Sequence, residues 1–180
     1  MSIEIDIAVA KVVAALEQQR LNDAAREALP FSKTMFSPDA SSGLNSHLLT
    51  VVFAHKLPTI LGSIRQEDAQ WLRVAAGLHI LGFDKASRRY LSEKVHTPFR
   101  HANDVTVRMT VFAANHQRRL QQFRETDVKK ARVRGITENS CASCRAINGR
   151  VYDLRSLPML PYEKCSCDMG CRCTVAAVLD

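Results

Sequence analysis

The chain has 180 residues, 46% of them hydrophobic but only 6% aromatic, and a formal net charge of +7. That length supports one compact domain, or a core with a small satellite. The shortage of aromatics points away from a β-sandwich and toward packed helices rich in Leu, Val, Ile and Ala. The longest apolar stretches are broken by His55, Lys56 and Pro58, or by His79, which excludes a membrane span.

The excess charge sits in the middle of the chain. Residues 84–134 carry 13 Lys/Arg against 5 Asp/Glu, whereas residues 1–83 carry 7 against 8 and residues 135–180 carry 5 against 5. Such a stripe suits nucleic acid or an acidic protein surface, and equally a solvated helix face whose long side chains cover apolar neighbours. The N-terminal run Met1 to Asp6 is acidic where a secretory signal is basic. The expected setting is therefore a reducing cytosol, in which clustered cysteines hold metal more often than disulfides.

In chain order, Ile7, Ala10, Val13, Leu16 and Leu21 recur at helical spacing, so one helix is expected over residues 3–29, stopped by Pro30. Phe31 to Asn45 reads as a loop, because Ser, Asp, Gly and Pro cluster there. A helix capped by Asn45 or Ser46 is expected to run to Leu57, where Pro58 kinks or restarts it. The next should span Glu67 to Leu81, with Gly82 as its C-terminal cap, and Asp84 should cap a short helix through Leu91. Thr97-Pro98 reads as an N-cap followed by a first-turn proline, opening a long helix to about Arg124. After Asp127 the pattern alternates: Val128, Ala131, Val133 and Ile136 interleave with Lys129, Lys130, Arg132 and Arg134, as in a strand. Val151-Tyr152 and Thr174 to Val178 are two more β candidates.

All six cysteines lie in this last stretch. Cys141 and Cys144 form a C-x-x-C pair, and two C-x-C pairs follow, Cys165 with Cys167 and Cys171 with Cys173. A C-x-x-C turn points two thiolates inward from one tight loop, and a second pair from a distant segment completes a tetrahedron around zinc. So small a module has little core of its own and needs a staple. Three disulfides, a redox pair and an iron–sulfur cluster compete with this reading. The expected ligands of a single Zn²⁺ are Cys141, Cys144, Cys167 and Cys171, with Cys165 and Cys173 as alternates. Asp168 reads as a solvated turn residue.

The expected fold is thus mainly α: a helical region over residues 1–96, then a long helix and a small zinc-stapled, β-containing module over residues 97–180. His96, His101 and His116 read as surface or packed histidines. With no nucleophile–base motif and no Gly-rich phosphate loop, an enzyme is not expected.

The stretch Arg108 to Arg124 with Asn115, then Val128 to Val133, Cys141-x-x-Cys144, Gly149, Val151-Tyr152, Leu157-Pro158 and Cys171-Arg172-Cys173 resembles the C-terminal domain of phage head-morphogenesis proteins, the minor head proteins of the Mu F type. The resemblance covers about residues 100–178. The family places a histidine shortly before its Cys-Arg-Cys ending, whereas this chain has Cys165 to Gly170 there, so Cys167 is the simplest replacement ligand. Residues 1–96 do not match the family's larger N-terminal portion.

The resemblance implies a non-enzymatic assembly protein, acting in the bacterial cytoplasm or in the virion. Its partners would be a capsid, portal or other assembly protein, with DNA as a further partner through the 84–134 stripe and oligomer formation open. Arg118, Arg119, Arg124 and Arg172 are the candidate contact residues. A zinc-dependent nucleic-acid-binding regulator is the alternative, weakened by the lack of a C₂H₂ finger or a clear helix-turn-helix.

Overall fold

The structure is a computed structural model that describes residues 3–31, 38–96, 98–135 and 138–179, without the side chains of 38–44. Its helices are α1 (Ile3–Glu17), α2 (Leu21–Ala28), α3 (Pro38–Ala54), α4 (Gln66–Ile80), α5 (Asp84–Lys94), α6 (Asn103–Glu125) and the short α7 (Ala142–Ile147). Three strands, β1 (Lys130–Arg134), β2 (Val151–Asp153) and β3 (Thr174–Val178), form one antiparallel sheet in the order β2-β1-β3. The fold is therefore mainly α with a small C-terminal sheet and a cysteine cluster. No described helix is long and apolar enough to cross a membrane.

The chain divides into two compact units, one of residues Met1–Lys56 and Ile64–Phe99, the other of Leu57–Ser63 and Arg100–Asp180. In the first, α1, α2, α3, α4 and α5 pack in succession, with α4 also against α1. Val12, Leu16, Leu49, Leu72, Leu78 and Leu91 are wholly buried there. Polar ties pin α5 from two sides: Ser87 Oγ donates to the Ala75 carbonyl at 2.7 Å, and Tyr90 Oη donates to Glu17 Oε1 at 2.8 Å.

Several helix boundaries differ from those the sequence suggests. The single helix expected over 3–29 is two, because Gln19 takes a left-handed conformation (φ 55°) and reverses the chain without glycine or proline. Helix α3 begins at Pro38, inside the expected loop, and ends at Ala54 rather than Leu57. Proline suits a first helical turn, where its missing N–H costs nothing. Residues 32–37 of that loop lie outside the described residues. The α4 terminus is as expected: Gly82 (φ 87°) donates to the His79 carbonyl, and Phe83 donates to that of Leu78, a paired closure that satisfies two end carbonyls. Asp84 is the first residue of α5 rather than its cap, and it pairs with His79 Nδ1 at 2.6 Å. The long helix starts at Asn103, so Pro98 precedes it by a non-helical stretch. Thr97 lies outside the described residues.

In the second unit β1 alternates cleanly. Ala131 and Val133 are fully buried, and Lys130, Arg132 and Arg134 face outward. Ala131 stands opposite Tyr152 on one side and Ala177 on the other, and Val133 opposite Val175. Helix α6 packs on β3 and buries Val105, Val107, Met109, Val111 and Leu120. Arg119 Nη1 donates to the Val175 carbonyl at 2.8 Å, a direct tie from helix to strand.

Candidate metal centre

Three pieces of backbone carry the cysteines. Cys141 is the N-cap of α7 and Cys144 lies in its first turn, so one short helix sets both. The link between β1 and β2 that carries α7 is closed by the Gly149 N–H donating to the Val133 carbonyl and the Val133 N–H donating to that of Arg150. Gly135 N donates to Asn148 Oδ1 at 2.8 Å across the same loop. Cys165 and Cys167 occupy consecutive turns, in which Cys165 N bonds the Tyr162 carbonyl and Gly170 N bonds that of Cys167. Cys171 and Cys173 lie on the extended entry into β3.

These segments converge. The sulfurs of Cys141, Cys144, Cys165 and Cys167 all lie within 4.8 Å of one another, and so do those of Cys144, Cys171 and Cys173. None of the six is joined in a disulfide, and all but Cys141 are buried. Of the four ligands expected from the sequence, Cys141, Cys144 and Cys167 fall in one group; its fourth member is Cys165, while Cys171 belongs to the other group with Cys173. Asp168 is exposed, and His96, His101 and His116 belong to neither group.

Backbone amides donate to the sulfurs: Cys141 N to Cys167 Sγ at 3.2 Å, Ser166 N to Cys141 Sγ at 3.4 Å, Cys167 N to Cys165 Sγ at 3.4 Å and Tyr162 N to Cys171 Sγ at 3.1 Å. Donors aimed at sulfur favour the thiolate, which is the form that binds metal. Burial pushes the Cys141 thiol up, but hydrogen bonds from Ser166, Cys144 and Cys167 together outweigh it and the thiol falls to about 6. A hydrogen bond from Cys173 is the main cause that brings Cys171 down to about 6. Cys144 and Cys165 are pushed up, chiefly by burial, and Cys173 by its bond to Cys171 and then burial. Thiols packed this closely cannot all ionise unless a positive charge lies among them. A tetrahedral ion with metal–sulfur bonds of about 2.3 Å needs sulfurs roughly 3.8 Å apart, so the residues fit a metal.

The candidate contact arginines are disposed differently from one another. Arg124 is exposed and lines a groove with Lys129 and Arg155, while Arg119 is committed to the Val175 carbonyl. Arg118 is half-buried and its Nε has no hydrogen-bond partner among the described residues. Arg172, between two buried cysteines, is half-buried. Sequence reasoning missed Gly170, which seats the cysteine turn on α6; its spacing between Cys167 and Cys171 was the available signal.

No family model matches the chain, and neither the curated proteins nor the solved structures include a significant match.

Proposed function

We propose that the chain is a non-enzymatic, zinc-stapled assembly protein of the phage minor head type, which docks onto a capsid or portal-like protein through α6 and the cysteine module. The observation that carries this reading is the ligand set: among the described residues, both groups of potential ligands consist of cysteine alone. Catalytic zinc keeps an open position for water beside three protein ligands, whereas thiolate-rich sites are closed and structural. Zinc is favoured over an iron–sulfur cluster because sulfurs this close suit a metal ion bound directly by the thiolates. The Cys-Arg-Cys ending and the C-x-x-C…Gly spacing give the reading its phage character, and with it the expected setting, the bacterial cytoplasm or the virion.

Val105, Met109 and Leu120 of α6 are buried, so docking falls to what stays accessible: Phe112, which is 42% exposed, and Arg172. An arginine held between two metal ligands is stiffened for pairing with a partner carboxylate. Size-exclusion chromatography with light scattering, on the protein alone and mixed with candidate capsid and portal proteins, tests this. Co-elution of the wild type is expected, with affinity falling about tenfold or more in Arg172→Ala. A monomer that ignores every candidate and turns over a substrate would overturn the reading.

A further inference from the structure

Six thiols exceed what one tetrahedral ion can use, and their arrangement is not that of one site with two bystanders. The two groups overlap in a single residue, Cys144, which is 2% exposed and whose sulfur is within 4.8 Å of every other sulfur in the cluster. The second group has three cysteines to the first group's four, and all three are buried. Cys171 and Cys173 are 1% and 7% exposed, and the Tyr162 N–H is aimed at the Cys171 sulfur. A Cβ placed on Gly135 would stand 3.3 Å from the Cys173 sulfur, so the backbone closes tightly over that side.

We propose that the cysteines hold two zinc ions, one in each group, bridged by the Cys144 thiolate. The coordination numbers support it. Two tetrahedral ions have eight positions to fill, and six thiolates fill them when two of the six are shared. Cys144 is one bridge. Cys165 is the candidate for the other: it belongs to the first group, so its sulfur lies within 4.8 Å of that of Cys144, and it would reach the second ion by closing on Cys171 and Cys173, with which it is not grouped. Two divalent ions also offset four of the six thiolate charges, where one ion would offset two and leave buried sulfurs without a positive neighbour. The fold assembles this from three segments, so each ion cross-links the α7 turn to a different piece of chain. One joins it to the 165–167 turns and the other to the entry of β3.

This inference rests on the zinc reading of the site, and the test separates the two. Elemental analysis and native mass spectrometry of the full chain, purified with zinc under reducing conditions, should give two zinc ions per chain. After exchange with cadmium-113, the spectrum should show two resonances in the thiolate region, with the Cys144 β-protons correlated to both. One ion per chain, or two resonances without a shared Cys144, overturns the binuclear centre and leaves the zinc staple standing. No bound metal, with the six cysteines oxidised, overturns both. The double variant Cys171→Ser/Cys173→Ser should fall from two ions to one, and retention of two would also overturn the proposal. The wild-type cadmium measurement decides the matter whether or not that variant folds.

Discussion

At the scale of single residues, His116 on α6 sets a pH dependence. It is 6% exposed, and neither ring nitrogen has a hydrogen-bond partner among the described residues. Burial, and secondarily the charge of Arg119, lowers its pKa from 6.5 to about 4. The unfolded chain therefore binds a proton between these values that the folded chain refuses. Stability from this group is complete above pH 6.5 and is lost as the pH falls toward 4, at about 1 kcal/mol per pH unit. Urea unfolding at pH 7.5 and 5.5 should show the loss in the wild type, and His116→Leu should lose about 1 kcal/mol less over the same interval. Equal losses would mean that His116 is not what titrates. Gly170 gives a second prediction at this scale. Its φ is 73°, and an added Cβ would lie 2.9 Å from both Met109 Sδ and Val105 Cγ1. Gly170→Ala should cost roughly 2–4 kcal/mol, from left-handed strain and overpacking together. A thermal melt within a degree of wild type would show that the turn can lift off α6.

At the scale of elements, α6 serves as the floor on which the sheet and the cysteine turn are laid. Arg119 reaches from it to the β3 carbonyl of Val175. Arg119→Ala should destabilise the second unit by on the order of 1 kcal/mol, since it removes a charged donor from a site that is only partly buried. It should also raise amide exchange in β3 before that in β1. The basic character of α6 poses a separate question, whether the helix meets DNA. Arg118 and Arg119 make poor probes, because one is half-buried and the other holds a strand. Arg124 and Arg155, which line one groove with Lys129, are the better pair. If that groove binds phosphates, Arg124→Ala/Arg155→Ala should weaken duplex binding with little regard to sequence. The salt slope should also fall by about one for each phosphate that is no longer neutralised. Fluorescence anisotropy over a salt series measures both, and unchanged curves would leave the stripe as a solvated face.

At the scale of the whole molecule, the two units differ in what holds them together. The first has a continuous aliphatic core spread over α1, α3, α4 and α5. The second rests on α6, a three-stranded sheet and the cysteine cluster, and a metal ion held there would double as folding energy. Chelation under reducing conditions should therefore expose the amides of residues 130–178 to exchange while α1 to α5 stay protected. Cys144→Ser should reproduce the effect of the chelator, because it removes a ligand from both groups at once. Full protection of the sheet after metal removal would show that the module folds on its apolar contacts alone.

Local signals in the chain determined a good deal. The periodic apolar positions of α4, the left-handed cap at Gly82 and the alternation across Ala131 and Val133 are written within a few residues of one another, so propensity and pattern suffice to read them. The cysteine spacing likewise announces a C-terminal cysteine cluster compatible with a metal ion. Tertiary structure decided the rest, because it depends on residues far apart in sequence. Nothing around Gln19 marks a chain reversal; the break exists because α2 must turn back to bury Ala24, Ala25 and Ala28. The segment 57–63 groups with the second unit although its neighbours in sequence on both sides belong to the first, and Ile60 and Leu61 within it are buried. The cysteine groups are the sharpest case. Spacing pairs each thiol with its nearest neighbour in the chain, yet only the folding of α7 against the 165–167 turns and the entry to β3 places Cys144 between two sets of sulfurs.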